Sequence, residues 1–442
     1  MKVHPQPLLQ GEIELASFRD KLIDYVTGFE RFSVLDTGKG SVSGPSSFSL
    51  LAGWGKLAEF VFSSEKEGLS GLDTFLSQHK GKWIFGHISY DVKNVFEPKL
   101  QSHRKDQIGF PLLSFFVAEY VCGIRTTGEL FLHAQKETEE AGLTEHLLQE
   151  ILQHPSLDNT SSLQLQPGSE IISEINYQQA VQQLLYHLHQ GDIYEINYCL
   201  PFQLRGEIPS PGHLWKKMQE VQQSPFAALY RENDAWLLCC SPERFLRKEG
   251  DLILSQPIKG TAARSPDPDT DEHLKKQLLE SAKERAENVM IVDLVRNDLG
   301  RIAERGTVQV DELFGIYSFA HVHQMISTIT ARVKEGLPFT EVLRATFPMG
   351  SMTGAPKFSA MEIIEEQEIF RRGLYSGAVG YISPDGDFDF NVVIRSILYN
   401  SRHQHIYFPA GSAITALSDP GQEFAECLLK AEGMRKILEG GV

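Results

Sequence analysis

Two pairs of glutamates have the type and spacing that suit chemistry. Glu284 and Glu287 stand three apart in KERAENVMIVDLVRNDL, and Glu423 and Glu426 stand three apart near the C-terminus. On a helix, residues three apart share a face, so each pair can present two carboxylates to one point. After Glu287 come Val289, Met290, Ile291, Val292, Leu294 and Val295, apolar almost all round, which predicts a buried helix. Phe424, Cys427, Leu428, Ala431 and Leu438 predict an apolar stripe with Glu423 and Glu426 at its edge. Unpaired charge beside buried surface is costly, so these acids need partners. Lys430, four residues after Glu426, is one candidate. A hard cation is another, because Mg²⁺ takes one or two carboxylates together with waters and substrate oxygens. By spacing alone, the commoner outcome for such pairs is a surface salt bridge to Lys or Arg.

A second set joins a carboxylic acid to an amine. Ser241-Pro242-Glu243-Arg244-Phe245 follows an apolar run at 234–240, and Pro257-Ile258-Lys259-Gly260-Thr261 follows another at 251–255. Read as paired neighbouring strands, the two runs bring Glu243 and Lys259 out at the same end. An acid beside an amine can serve as proton donor and nucleophile, and desolvation or a nearby cation lowers a lysine pKa and activates it. The plainer alternative is a Glu–Lys ion pair at a strand end.

The elements that must position these groups are legible in outline. Val181, Leu184, Leu185 and Leu188 have helical spacing, with Asn176 as expected N-cap and Gly191 just past the end. Residues 271–299 read as mostly helical. Residues 375–409 read as three strands (YSGAVGYIS, FDFNVVIRSILY and QHIYFPAG), the first two joined by an Asp385-Gly386 turn. The last helix is expected to begin at Ser418-Asp419-Pro420 and run to about Leu438. Earlier in the chain, 83–86 and 112–117 read as buried strands. The Gly/Ser-rich run 38–47 reads as a loop; it lacks GxGxxG and a Walker lysine, so no phosphate-binding role is assigned to it. Residues 153–174, rich in Ser, Gln, Pro and Asn, read as a connector between a 1–152 region and a 175–438 catalytic domain. Strand runs and long helices without strict β-α-β alternation indicate the α+β class.

Composition narrows the classes. The chain has 442 residues, 41% hydrophobic and 23% charged, with a formal net charge of -16. A net acidic chain does not attract a phosphate backbone or an anionic lipid surface, so neither nucleic acid nor membrane is an expected partner. An anionic substrate would instead need a local cation, which a bound metal supplies. Five cysteines, an odd count without a CxxC pair, suit buried thiols in a reducing compartment. No apolar stretch of signal-peptide or membrane-spanning length is present, and a cytoplasmic protein is the expectation.

Taken in order, SPERFL (241–246), PIKGT (257–261), ERAENVMIVDLVRNDLGRI (284–302), FPMGSMTGAPK (347–357), SGAVGY (376–381), VVIRS (392–396) and EFAECLLK (423–430) resemble the chorismate-utilising enzyme family. That family includes the anthranilate, aminodeoxychorismate, isochorismate and salicylate synthases. The resemblance covers about residues 170–438; before that it is looser, carried chiefly by GHISYDV (86–92). It implies large mixed or antiparallel sheets packed in a sandwich with helices outside. It implies that Glu287 and Glu426 bind Mg²⁺ directly and that Glu284 and Glu423 hold the metal's waters. It further implies that Tyr381 and Arg395, with backbone amides near Gly411 and Ser412, take the enolpyruvyl carboxylate. Thr353 then lies near the ring, Lys430 faces metal and substrate, and Glu243 protonates the departing 4-hydroxyl.

Two positions bear on the branch. PIKGT carries Lys259 where anthranilate synthases have alanine, and the resemblance implies that its amine attacks C2 of chorismate before ammonia adds at C4. The implied product is 4-amino-4-deoxychorismate, on the way to 4-aminobenzoate and folate, in a transaminase-class reaction. Glu195 stands where isochorismate and salicylate synthases carry a water-activating lysine, and where related synthases more often have Gln. Anthranilate synthesis is the alternative, with an isochorismate synthase or a non-catalytic chorismate-binding paralogue behind it. Gln324 replaces a His common in the family, with His323 one place earlier, and Ser412-Ala413 replace smaller residues of a glycine-rich turn. The chain carries no amidotransferase cysteine motif, so a separate glutamine amidotransferase subunit is expected to deliver ammonia.

Overall fold

The computed structural model describes residues 15–38, 47–63, 69–100, 104–136, 142–155, 163–168 and 172–440. Most of the Gly/Ser-rich run 38–47 lies outside them. Two ten-stranded antiparallel sheets and a three-stranded sheet carry the fold, with helices against them, which bears out the α+β sandwich.

The first sheet runs, edge to edge, through Leu130–Ala134, Tyr120–Arg125, Phe48–Trp54, Arg31–Asp36, Phe226–Glu232, Ala235–Ser241, Ser396–Asn400, His405–Tyr407, Gln203–Arg205 and Gln166–Pro167. The second runs through Ile258–Ala263, Val322–Arg332, Leu252–Gln256, Arg244–Glu249, Phe388–Val392, Ala378–Ile382, Ile84–Ile88, Leu113–Val117 and Ala58–Phe62, with Gln309–Ser318 also paired to Val322–Arg332. The small sheet orders Gly354–Ala355, Glu195–Leu200 and Ala410–Thr415.

This topology corrects the expected division at 153–174. Arg31–Asp36 pairs with Phe226–Glu232, and Ile84–Ile88 pairs with Ala378–Ile382. Strands from before the connector therefore complete both large sheets, and Gln166–Pro167 of the connector is itself an edge strand. Sequence distance did not report which strands would be neighbours.

The strands at 235–241 and 252–256, expected to pair, lie in different sheets. The reason is visible in Ala235–Ser241, which is buried on both faces. Leu237 and Cys239 join the core between the sheets, while Trp236, Leu238 and Cys240 pack under helices Leu15–Val26 and Pro211–Gln222. A strand buried on both sides shows no alternation, so its sequence names no partner. Likewise FDFNVVIRSILY is two strands, Phe388–Val392 in one sheet and Ser396–Asn400 in the other.

The helix expected around Val181–Leu188 spans Glu174–Gln190 and ends on Gly191 at φ 83°. Its cap is Ser173, whose hydroxyl accepts the Asn176 N–H at 3.2 Å, so Asn176 is in the first turn. Residues 271–299 form two helices, Pro268–Glu280 and Ala282–Ile302, and the last helix spans Pro420–Leu438 behind the Asp419 cap. Among the described residues no helix is long and apolar enough to cross a membrane.

Candidate active site

Two of the places where the chain passes between the large sheets carry site residues. Between Ser241 and Arg244 it passes from the first sheet to the second, and between Val392 and Ser396 it returns. The crossings lie side by side: the Val392 N–H donates to the Glu243 carbonyl at 3.0 Å, and the Cys240 N–H to the Arg395 carbonyl at 3.2 Å. Glu243 and Arg395 thus sit where the ladder is interrupted. Arg395 holds φ at 51°, a backbone conformation that side chains disfavour and that functional sites retain when the surroundings enforce it.

Lys259 is the second residue of Ile258–Ala263. Its strand slips register against Val322–Arg332 between Ile258 and Thr261, a bulge that re-aims the local side chains. The amine is 8% exposed and closes an ion pair with Glu195, 2% exposed, on the small sheet. Burial pulls the Lys259 pKa down, but the charge and hydrogen bond of Glu195, with Glu287 and Glu243 behind, raise it above the usual lysine value. Glu243 is 5% exposed and accepts the Ser351 hydroxyl at 2.6 Å. Burial pushes its pKa to about 7, against the opposing pull of Ser351, Lys259 and the Ile258 N–H. The acid and the amine lie near enough for each to act on the other's charge, although their strands are not the pair the sequence suggested.

The glutamate pairs sit at two helix starts. Ser281 caps Ala282–Ile302 by accepting the Glu284 N–H at 3.3 Å, which puts Glu284 in the first turn and Glu287 one turn on. Burial lifts Glu287 to about 7 against Lys259, with Glu195 and Glu284 adding to the lift. Its nearest cation, Lys283, is 3.9 Å away, and its buried Oε1 has no hydrogen-bond partner. On Pro420–Leu438, Glu423 accepts the Ser412 hydroxyl, and Glu426 pairs with Lys430 at 2.6 Å. Burial would raise Glu426, but Lys430, Lys283 and Lys259 together hold it below the usual carboxylate value. Lys259 and Lys283 act on both Glu287 and Glu426, so the two helices bring their acids to one neighbourhood. Among the described residues no three His, Cys, Asp or Glu side chains converge closely enough to hold a metal ion.

One expected substrate residue is displaced. Tyr381 lies among Phe48, Trp83 and Phe85, and the charges that reach it are Asp389, Arg247, Arg244 and Asp387. The tyrosine that acts on Arg395 is Tyr375, at the other end of YSGAVGY, and Glu426 also reaches that guanidinium. The motif holds two tyrosines, and spacing alone does not say which lies beside the return crossing at 393–395. Desolvation lowers the Arg395 pKa. Thr353 is buried with its hydroxyl donating toward the Met349 and Gly350 carbonyls. Lys430 also donates to the Gly411 carbonyl at 2.9 Å. A Cβ at Gly411 would stand 2.9 Å from Asn197 Nδ2, so a larger residue there would have to displace the Asn197 amide. His323 bonds Ser318 at 2.8 Å and Asp271 at 3.0 Å, which pins the Pro268–Glu280 helix to the hairpin. Gln324 is buried with an unpartnered Oε1.

The family model for chorismate binding enzymes matches residues 34–436. The chain belongs to this family. It is 33% identical over 362 residues to aminodeoxychorismate synthase component 1 of Bacillus subtilis, covering 80% of this chain and 76% of that protein. It is 41% identical over 271 residues to the component 1 protein of Salmonella typhimurium, covering 61% of this chain and 58% of that one. The chain thus spans less than two thirds of the length of the Salmonella relative, and only 30% and 39% of two chloroplastic aminodeoxychorismate synthases, from rice and Arabidopsis. The crystal structure of anthranilate synthase component I from Streptococcus pneumoniae superposes with a TM-score of 0.76 at 26% identity, covering 90% of this chain and 94% of that one.

Proposed function

We propose that the chain converts chorismate and ammonia to 4-amino-4-deoxychorismate through a covalent adduct on Lys259. The observation that carries this reading is the buried Lys259 amine beside Glu243, an acid whose pKa of about 7 keeps much of it protonated near neutrality. The curated relatives named aminodeoxychorismate synthase support it.

The resting ammonium of Lys259 first yields a proton to the Glu195 carboxylate it is bonded to. Its lone pair then forms a bond to C2 of chorismate, the C1–C2 double bond shifts to C1–C6, the C5–C6 double bond shifts to C4–C5, and the C4–O bond breaks. The Glu243 proton goes to the departing hydroxyl, which leaves as water. Ammonia bonds to C4, the double bonds return to C5–C6 and C1–C2, and the C2–N bond to Lys259 breaks with its electrons on the lysine nitrogen. The new ammonium gives a proton to Glu243, and Glu195 returns its proton to Lys259. One chorismate and one ammonia give one aminodeoxychorismate and one water. An internal nucleophile excludes water from C2 and splits one substitution into two.

Arg395, beside Tyr375, is suited to a planar carboxylate because its fork donates two parallel hydrogen bonds. Glu287 Oε1, which accepts no hydrogen bond, is the kind of donor a hard cation takes, and Glu426, Glu284 and Glu423 would supply the remaining carboxylates. Bound Mg²⁺ would neutralise these acids and attract the ring carboxylate of a dianionic substrate. Ammonia would come from a glutamine amidotransferase subunit, making the net reaction an amino-group transfer from glutamine.

Purified chain with chorismate, Mg²⁺ and ammonium should accumulate an aminochorismate that becomes 4-aminobenzoate only when a lyase is added. Direct release of fluorescent anthranilate would refute the reading.

A further inference from the structure

Behind the site lies a guanidinium whose donors are all engaged. Arg372 is 2% exposed, and Glu368 beside it is equally enclosed. Nε and Nη2 of Arg372 donate to the two Glu368 oxygens at 2.8 and 2.6 Å. Nη1 donates to the Met352 carbonyl at 2.6 Å and the Ser376 hydroxyl at 3.3 Å, and Nη2 also donates to the Asn197 carbonyl at 2.9 Å. A guanidinium has five N–H donors, and these bonds account for all of them.

The three segments it reaches are those that carry reaction groups. Met352 follows Ser351, the hydrogen-bond donor to Glu243. Asn197 is two residues along the strand from Glu195, the partner of Lys259. Ser376, held at φ 63°, follows Tyr375, the neighbour of Arg395. Glu368 adds a fourth tie by accepting the Cys199 N–H at 3.0 Å.

The face of the guanidinium is covered by Tyr90, from the GHISYDV segment before the connector, with the ring centroid 4.5 Å away. That segment also grips the loop bearing Arg372. The Tyr90 N–H donates to the Gly373 carbonyl at 2.8 Å, and Asp91 accepts the Gly373 N–H at 3.1 Å and pairs with Arg371 at 3.0 Å. The Tyr90 hydroxyl is buried without a partner, so the ring is the functional part of the side chain here.

We propose that Arg372 is a positioning residue, holding the Ser351, Glu195 and Tyr375 segments in reactive register, and that Tyr90 keeps it in place. Lysine cannot substitute, because it has three donors on a point charge and no planar fork. The inference rests on the proposed reaction only in taking Glu243, Lys259 and Tyr375 as groups at the reacting centre.

The test is steady-state turnover of chorismate by the full chain with Mg²⁺ and ammonium, at a temperature where each variant is folded by circular dichroism. Arg372→Lys should lose about 100-fold in kcat, the cost of a misplacement of about 1 Å, with KM changing less because the four glutamates and Arg395 are outside its contacts. Tyr90→Leu should lose about tenfold in kcat, and Tyr90→Phe should retain it, since the ring remains. A purely structural role would lower the melting temperature of the variants and leave kcat per folded molecule unchanged. Arg372→Lys with kcat within about threefold of the unaltered chain overturns the inference. If that variant does not fold, equal kcat for Tyr90→Leu and Tyr90→Phe overturns it. Anthranilate as the product of the unaltered chain would defeat the proposed reaction, while the same kcat comparison would still decide the role of Arg372. No turnover by the unaltered chain overturns both.

Discussion

Replacing Ser351 by alanine should move the pH at which Glu243 titrates, and the size of the shift follows from the structure. Glu243 sits at about 7 because burial raises it while the Ser351 hydroxyl, Lys259 and the Ile258 N–H lower it. The Ser351 bond, at 2.6 Å in a buried setting, favours the ionised form. A hydrogen bond to a charged group contributes about 1.5–3 kcal/mol, and one pKa unit is about 1.4 kcal/mol, so its loss should raise the Glu243 pKa by about 1 to 2 units. The assay is the rate of covalent adduct formation on Lys259 with chorismate and Mg²⁺ but no ammonia, read by intact-protein mass spectrometry from pH 5.5 to 9. Omitting ammonia keeps its own titration out of the profile. The unaltered chain should show an inflection near pH 7, and Ser351→Ala the same inflection displaced upward. Glu243→Gln should lose the inflection and be slower by about 100-fold or more, the usual contribution of a general acid. An inflection that stays put in Ser351→Ala, or moves to lower pH, would show that Glu243 does not govern the step.

Further outcomes follow from the same site. Glu287 has its folded pKa raised from 4.5 to about 7, so its contribution to stability is present below pH 4.5 and lost as pH rises through 7. Without metal, Glu287→Gln should therefore be more stable than the unaltered chain at pH 8, by about 2 kcal/mol after solvent screening, and equal to it at pH 4.5. Urea denaturation checks this; a less stable variant at pH 8 contradicts it, and added Mg²⁺ should stabilise the unaltered chain more than the variant. Lys259→Ala should form no adduct, and persistence of the chorismate-derived mass would remove Lys259 as nucleophile. Glu195→Gln removes the anion that most raises the Lys259 amine, so in that variant the amine should titrate at lower pH, and an unchanged or higher value would refute the pairing. Tyr375→Phe should raise KM for chorismate about tenfold, the worth of one hydrogen bond of about 1.4 kcal/mol, while Tyr381→Phe should not change it. The reverse result would restore Tyr381 to the site.

The sequence by itself determined the local pieces. The helix start at Asp419, the Asp385-Gly386 turn and the i, i+3 glutamates are set by interactions within a few residues, and the structure has them where capping and turn chemistry place them. The ordered motifs likewise carried the family, because they are contiguous runs. What only the tertiary structure decided are relations between residues distant in the chain. Strands buried on both faces, such as Ala235–Ser241, show no alternation from which a partner could be read, so the two sheets and the contribution of the first 152 residues to them were not legible. The same limit hid which tyrosine neighbours Arg395: Tyr375 and Tyr381 are six residues apart in one motif, and only the return of the chain between sheets at 393–395 puts Tyr375 near Arg395. The Lys259–Glu195 pair and the five-donor hub at Arg372 arise in the same way, from segments that meet across 64 and 175 positions of sequence. Hydrogen bonding and burial act through space, and composition along the chain carries only their local part.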